Sequence, residues 1–217
     1  MGSLQLASKT IERVLIVDDD QSVRESFSYP IEELGLRPID QSDPLPELSR
    51  FLEEAQHKSD AAICDHRLRV GKHYAPFNGA ELVASFYRVG FPALLCTRWD
   101  QAGVDDIRPY RPHIPVLLNP GDLDPETLRE GLELCSNELA GSYHTNRKPW
   151  RTQIRVEEID SEAGFAGVII PAWNPTEGVR LRLSDIPISP ESGILYARVN
   201  LGAERQEDLY FHWEAGG

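Results

Sequence analysis

The apolar stretch Val14-Leu15-Ile16-Val17 runs directly into Asp18, Asp19 and Asp20, and this junction constrains the fold more than any other feature of the chain. A buried strand cannot carry charge along its length, so the acids must lie at its end, where solvent or a cation can reach them. Three adjacent carboxylates repel one another unless positive charge lies between them. A hard divalent cation such as Mg²⁺ prefers carboxylate oxygens. The junction therefore predicts a buried strand that ends in a candidate Mg²⁺ site.

The part of the chain before residue 141 alternates between strand-like and helix-like segments, which is typical of a parallel sheet with crossover helices. The predicted strands are Val14–Val17, Leu36–Ile39, Ala61–Cys64, Ala93–Cys96 and Ile114–Leu118. This pattern predicts an α/β fold with a doubly wound, five-stranded parallel sheet.

Apolar residues at helical spacing separate these strands. In the first helix Val23, Phe27 and Ile31 share a face, and we expect Pro30 to kink it. Asp43 and Pro44 have the residue types of an N-cap and a first helical position, which predicts that the second helix starts there. The other predicted helices follow Asn78-Gly79, span Gln101–Tyr110 and span Pro125–Leu139.

The composition changes after residue 141, which divides the chain into three predicted segments. Residues 1–141 form the α/β domain, residues 142–150 are a polar linker, and residues 151–217 form a small all-β module. Short strands between turn residues predict that module, at Gln153–Val156, Phe165–Ile170, Val179–Leu183, Ile194–Val199 and Leu209–Trp213. Its composition suits protein interaction better than DNA binding, because residues 151–217 hold six arginines against eleven acidic residues.

Polar side chains follow four of the predicted parallel strands, where ligands bind in open α/β sheets. The first strand ends in Asp18 and Asp19, the third in Asp65, the fourth in Thr97 and the fifth in Asn119-Pro120. We therefore expect two acids, a further acid, a hydroxyl and an amide to meet at one edge of the sheet.

With these motifs the chain resembles the receiver domain of response regulators in two-component systems. The matching segments are Val17–Arg24, Cys64–Leu68, Asn78–Leu82 and Leu95–Thr97, in the order and spacing of that family. The resemblance covers residues 12–140 and implies the flavodoxin-like receiver fold. It leaves the C-terminal β module unrecognised.

The resemblance implies a role for each site residue. Asp18, Asp19 and Asp65 would bind Mg²⁺ together with the backbone carbonyl of Arg67. Asp65 would accept a phosphoryl group, which makes the chain a phosphoprotein. Thr97 would hydrogen-bond the phosphoryl oxygens. The implied partner is a sensor histidine kinase or another signalling protein.

The chain departs from the family pattern at two places. Asn119 stands where the family usually has a lysine before proline, so the cation that would pair with the phosphoryl group is missing. The loop from Asp65 to Gly79 is also about six residues longer than in the family. Basic residues that can replace the lysine, if the loop does not block the site, are Arg67, Arg69, Lys72, His73 and Arg98.

The composition indicates which kinds of binding partner and which cellular location to expect for the chain. The net charge of −13 makes nucleic acid a poor partner. No apolar run approaches the ~20 residues that span a bilayer, and residues 1–10 lack the core of a signal peptide. Cys64, Cys96 and Cys135 are few and widely spaced, which favours reduced thiols in a cytoplasmic protein.

Three functions follow from these observations. We favour an atypical response regulator, not an enzyme, in which Asp65 accepts phosphate with Mg²⁺ and the output passes through protein–protein interaction. The alternative is a phosphorylation-independent scaffold for docking or for homodimer formation, because Asn119 replaces the lysine and the loop after Asp65 is long and basic. Asp18, Asp19 and Asp20 can also form a solvated turn and helix cap without a metal. A Mg²⁺-dependent phosphoesterase is the weakest alternative.

Overall fold

The computed structural model describes residues 2–7, 9–69, 74–98, 101–186 and 193–214. The chain forms two compact units. The N-terminal unit holds residues 1–99 and 113–143, and the C-terminal unit holds residues 100–112 and 144–217. This division differs from the predicted boundaries. Residues 100–112 belong to the same unit as the β module, although in the sequence they come between the fourth and fifth strands of the parallel sheet.

The N-terminal unit begins with a short hairpin of β1 (Leu4–Gln5) and β2 (Thr10–Ile11). Its main sheet has five parallel strands, which are β3 (Arg13–Val17), β4 (Arg37–Asp40), β5 (Ala61–Cys64), β6 (Ala93–Cys96) and β7 (Leu117–Leu118). The order across the sheet is β4-β3-β5-β6-β7. Counted along the chain this is the 2-1-3-4-5 order of flavodoxin-like folds, so the predicted fold class is confirmed.

Helices α1 (Gln21–Glu33), α2 (Leu48–Lys58), α3 (Gly79–Arg88) and α5 (Pro125–Leu139) belong to this unit, whereas α4 (Gln101–Ile107) belongs to the C-terminal unit. The start predicted for the second helix at Asp43-Pro44 is wrong. Glu47 precedes α2 instead, without a side-chain cap. The backbone N–H of Leu45 donates to Tyr74 O at 2.7 Å, which ties this segment to the loop before α3.

Buried apolar side chains cover both faces of the parallel sheet. Strand residues such as Ile16 and Ile63 pack with Phe27 of α1 and Leu132 of α5 in one cluster. Alternate strand residues point to the opposite face. There Phe51 of α2 and Phe86 of α3 are fully buried, with ring centroids 6.4 Å apart. Because both faces are covered, only the strand ends leave polar side chains at the sheet edge.

The C-terminal unit is built on a five-stranded antiparallel sheet in the order β10-β9-β8-β11-β12. The strands are β8 (Trp150–Asp160), β9 (Phe165–Ile170), β10 (Asn174–Arg182), β11 (Ile194–Val199) and β12 (Phe211–Trp213). The predicted β module is therefore confirmed, although β8 starts inside the predicted linker. One face of the sheet is apolar and buried, with Ile154, Val168, Val179 and Val199 fully covered.

Buried polar contacts connect residues 108–112 to the rest of the C-terminal unit. Arg111 is 3% exposed and pairs with Asp208 at 2.8 Å. Arg147 is 6% exposed, donates to Arg111 O and Pro112 O at 3.1 Å, and lies over the ring of Tyr210. Tyr210, which precedes β12, is only 1% exposed. Its hydroxyl donates to Arg147 O, which explains the burial.

Among the helices that the structure describes, none combines the length and the apolar character that crossing a bilayer requires.

Candidate functional site: the acidic pocket at the carboxyl edge of the parallel sheet

Three neighbouring strands place the predicted site residues side by side. Val17 pairs with Cys64, and Cys64 pairs with Leu95, so β3, β5 and β6 end at nearly the same level. The next residues of these strands are Asp18, Asp65 and, one position beyond Cys96, Thr97. The Asp65 N–H donates to Val17 O and the Thr97 N–H donates to Leu118 O, each at 2.9 Å. The backbone ladder therefore holds these three residues at one edge.

An open cavity of about 400 Å³ lies at this edge. We call it the acidic pocket, and its walls include four carboxylates and two guanidinium groups. The lining residues are Asp18, Asp19, Asp20, Val23, Asp65, Arg67, Thr97, Arg98 and Pro120. The structure thus brings together every predicted site residue except Asn119.

Asp18 is the most buried acid of the pocket, with 4% of its surface exposed. Burial, together with the charges of Asp65, Asp19 and Asp20, raises its pKa to about 7, against a hydrogen bond from the Asp20 N–H at 2.8 Å. Negative charge is therefore concentrated in a place where water stabilises it poorly. This is an environment in which a bound cation would be favourable.

The other two acids of the first strand end differ in role. The Asp20 carboxylate accepts from the Ser22 N–H at 2.8 Å and so caps the start of α1. These hydrogen bonds lower the pKa of Asp20. The predicted helix cap is therefore Asp20, whereas Asp19 lines the acidic pocket.

Asp65 sits on a tight turn that leaves little room around its backbone. Its Oδ2 accepts from the Arg67 N–H at 2.7 Å. A Cβ on Gly79 would lie 1.7 Å from the Asp65 carbonyl oxygen, so only glycine fits at the start of α3. The Asn78-Gly79 pair therefore supports the placement of Asp65, with Asn78 capping α3 through the Glu81 N–H.

Thr97 is 1% exposed, and its hydroxyl makes only a long contact of 3.4 Å with Arg98 O. A hydroxyl held this weakly is available to hydrogen-bond another acceptor after a rotation about one bond. Arg98 itself is exposed and lines the same pocket.

Asn119 is not on the pocket wall. Its side-chain oxygen accepts from the Gly121 N–H at 3.1 Å, which caps the short 3-10 helix Pro120–Asp122. Asn119 therefore acts as a turn-forming residue after β7. Positive charge for the pocket comes from Arg67 and Arg98 instead.

The basic residues of the long loop after Asp65 do not all line the acidic pocket. Arg69 pairs with Glu81 at 3.4 Å and does not line the pocket. Lys72 and His73, predicted as further replacements for the lysine, lie outside the described residues. Of the predicted replacements that the structure describes, Arg67 and Arg98 line the pocket.

The donor set of the pocket suits a hard cation by chemistry, since aspartate and backbone oxygens are the ligands that Mg²⁺ takes. Across the described ranges, however, no three His, Cys, Asp or Glu side chains converge closely enough to form a metal-binding group. Asp18 and Asp65 each accept a backbone N–H at 2.7–2.8 Å, which directs one oxygen of each toward its own chain. The residues for a Mg²⁺ site are adjacent, but their side chains do not form a coordination shell.

Sequence reasoning missed Arg24. It is 8% exposed, donates to Asp18 O at 2.8 Å and pairs with Asp40 at 2.5 Å. Arg24 therefore fixes the backbone on which Asp18 sits. Its position one turn after Asp20 in α1 was the available signal, because that spacing returns a long side chain toward the strand end.

No family model matches the sequence, and no curated protein is similar to it. Similar solved structures include a CheY-like response regulator receiver domain protein from Methanospirillum hungatei JF-1, at 16% identity, with 60% of this chain and 98% of that chain covered and a TM-score of 0.44. A receiver domain protein from Clostridium thermocellum has 12% identity, covers 59% and 96%, and has a TM-score of 0.45. The BeF3-activated conformation of SdrG from Pseudomonas melonis Fr1 has 18% identity, covers 59% and 99%, and has a TM-score of 0.41.

Proposed function

We propose that the chain is an atypical response regulator in which Asp65 accepts a phosphoryl group. The single observation that carries this proposal is the acidic pocket, where Asp65 shares its walls with Asp18, Asp19 and Thr97. A carboxylate next to other acids and a buried hydroxyl, at the carboxyl edge of a parallel sheet, suits phosphoryl transfer, which needs positioning and charge compensation more than covalent chemistry.

In the proposed reaction an Asp65 carboxylate oxygen bonds to phosphorus while the bond from phosphorus to the donor breaks. The leaving group is a histidine ring nitrogen of a partner kinase, or acetate when acetyl phosphate is the donor. Asp18, Asp19, Asp65 and the Arg67 carbonyl would hold Mg²⁺, which when bound draws negative charge from the transferring group. Thr97 would donate its hydroxyl to a phosphoryl oxygen.

We further propose that Arg98 takes the place of the missing lysine. It lines the pocket beside Thr97, whereas Asn119 is occupied in capping the next turn. A guanidinium always carries a positive charge and presents paired donors to phosphoryl oxygens. Arg67 also lines the pocket, but its implied contribution to the site is a backbone carbonyl.

Incubation with acetyl phosphate and Mg²⁺, followed by intact-mass measurement, tests both parts. The wild-type chain should gain the mass of one phosphoryl group, and Asp65→Asn should not. Arg98→Ala should lower the labelling rate about tenfold or more, as expected when a group that stabilises transferring charge is removed. Asp43→Asn and Arg69→Ala, which remove charges outside the pocket, are the matched controls and should label normally.

A label that persists in Asp65→Asn would overturn the assignment of the phosphoacceptor. Equal labelling of wild type and Arg98→Ala would overturn only the role of Arg98.

A second candidate function is a phosphorylation-independent scaffold. The observations that favour it are the capping role of Asn119 and the lack of a converged metal-binding group in the described residues. On this alternative neither acetyl phosphate nor beryllofluoride changes the amide NMR signals of Asp65 and Thr97. Self-association measured by sedimentation would then be the same with and without these reagents.

A further inference from the structure

A second cavity, of about 250 Å³, lies within the C-terminal unit and is separate from the acidic pocket. We call it the arginine cavity. Its walls include Arg108, Ser184, Asp185, Phe211 and Trp213. It combines one buried cation, one acid and a pair of aromatic rings in a small volume. Pockets for drug-sized ligands are about 300–1,000 Å³, so this cavity suits a smaller molecule.

Arg108 is buried in this wall with only part of its hydrogen-bonding capacity used. Its side chain is 6% exposed, and Nη1 donates to Gln206 O at 3.0 Å and to Leu209 O at 3.3 Å. The Nε and Nη2 atoms are shielded from solvent and have no hydrogen-bond partner. A buried donor on a charged group that makes no hydrogen bond costs free energy of folding. Nearly all buried polar groups in native proteins therefore have a hydrogen-bond partner.

Asp185 has a buried acceptor atom without a hydrogen bond. Its Oδ1 accepts from the Ser184 hydroxyl at 3.2 Å, whereas Oδ2 is buried without a partner. Arg108 and Asp185 attract each other electrostatically, but no hydrogen bond joins them. These unpaired atoms belong to two residues that line one cavity, although the atoms themselves are shielded from it.

Two aromatic side chains, Phe211 and Trp213, form another wall. The rings of Phe211 and Trp213 are nearly parallel, with an interplanar angle of 9° and centroids 5.3 Å apart. Aromatic faces of this kind stack on planar heterocycles, and base–aromatic stacking tolerates any base. The polar groups of the cavity must therefore decide which heterocycle binds, through hydrogen bonds to its edge.

From this combination we propose that the arginine cavity binds a guanine base, as a free nucleoside or nucleotide. The Nε and Nη2 edge of an arginine is a pair of parallel donors, which matches the O6 and N7 acceptors of guanine. An ionised carboxylate only accepts, which matches the N–H groups at N1 and N2. Arg108 and Asp185 balance each other in charge, so the site favours a neutral planar group over an anion.

The shielding of these atoms means that binding requires a small rearrangement. A rotation of the Asp185 carboxyl about its terminal bond, which is a soft torsion, turns Oδ2 toward the cavity, and rotation of Arg108 about the single bonds of its aliphatic chain does the same for Nε and Nη2. The free chain thereby exchanges unsatisfied buried groups for hydrogen bonds to the ligand. The overall charge of −13 argues for a free nucleoside over a nucleic acid strand.

The test is titration of the full chain with guanosine, adenosine and cytidine, followed by the Trp213 indole NMR signal. Guanosine should shift this signal saturably. Adenosine should not, because its amino group faces the arginine donors with a donor of its own.

The variant Asp185→Asn gives a sharper test, because an amide can donate where a carboxylate cannot. Asp185→Asn should bind guanosine at least tenfold more weakly. It should gain affinity for xanthosine, which carries a carbonyl oxygen in place of the N2 amino group. Asp106→Asn removes an exposed acid of the same unit, and it should bind guanosine like the wild type. A matching thermal melting curve checks that each variant folds.

A Trp213 signal that does not respond to millimolar guanosine would overturn the proposal. So would equal responses to all three nucleosides, or an Asp185→Asn variant that melts like wild type and keeps its guanosine affinity.

Discussion

Both units of the chain bury charged side chains. The N-terminal unit buries the carboxylate of Asp18 at the acidic pocket, whereas the C-terminal unit buries Arg108, Arg111 and Arg147, each at most 6% exposed. A buried charge is tolerated when hydrogen bonds and an opposite charge replace the water it loses. The comparison therefore separates buried charges that hold the fold from those for which we propose a ligand.

The C-terminal unit contains both kinds. Arg111 pairs with Asp208, and Arg147 donates to two backbone carbonyls, so their bonds connect residues 108–112 to the β module. Arg108 has two donors left unpaired. In the N-terminal unit the charge of Asp18 is also incompletely compensated, because its neighbours at the pocket, Asp65 and Asp19, are acids like itself.

Loss of a fold-holding buried charge should give the largest effect. Arg111→Ala leaves Asp208 without its buried partner and should lower the free energy of unfolding by about 3–5 kcal/mol, as breaking a buried pair does. Arg205→Ala removes the half-exposed partner of the same carboxylate and should cost at most about 1 kcal/mol. Urea denaturation of both variants measures the difference. Equal losses would remove the distinction between buried and exposed pairs in this unit.

A substitution under the acidic pocket should have the next largest effect. Gly79→Ala forces a methyl group against the Asp65 carbonyl oxygen and should destabilise the chain by about 1–3 kcal/mol. It should also displace Asp65 and slow its labelling by acetyl phosphate. Gly178→Ala, where a Cβ meets nothing within 4 Å, is the control and should leave unfolding and labelling nearly unchanged. Normal stability of Gly79→Ala would contradict the close approach of α3 to Asp65.

The smallest effect concerns an acid that is already satisfied. Burial acts to raise the pKa of Asp60, but hydrogen bonds from the side chain and backbone of Arg13 outweigh it and lower that pKa. A lowered carboxyl pKa stabilises the folded chain above the unfolded-state pKa of about 4, and the effect disappears as pH falls through the folded-state value.

Asp60→Asn should therefore cost about 1–2 kcal/mol at neutral pH. The difference in free energy of unfolding between the variant and the wild type should shrink below about pH 4, as Asp60 becomes protonated first in the unfolded and then in the folded chain. Denaturation midpoints across this range measure it. A difference that stays constant with pH would show that the charge of Asp60 is not what stabilises the chain.

Much of the N-terminal unit could be predicted from the sequence, because local patterns decide it. Ala61–Cys64 and Ala93–Cys96 are short apolar runs that became strands with the predicted bounds, and α5 spans the predicted Pro125–Leu139. The meeting of Asp18, Asp65 and Thr97 also followed, since parallel strands end at a common edge.

Contacts between distant parts of the chain could not be predicted in the same way. The pairing of Arg111 with Asp208 joins residues 97 positions apart, and nothing in the local pattern around Arg111 indicates it. The arginine cavity depends on the same kind of contact, because Arg108 lies far in sequence from Asp185 and Trp213.

The central claim is that the carboxylates of Asp18, Asp19 and Asp65 act as one cation-binding site for phosphoryl transfer. The most direct measurement is a Mg²⁺ titration followed by amide NMR. The account predicts saturable shifts confined to the amides around Asp18, Asp19, Asp65 and Arg67, with loss of the response in Asp19→Asn but not in Asp43→Asn. Spectra that do not change with millimolar Mg²⁺, or changes that survive Asp19→Asn, would contradict it.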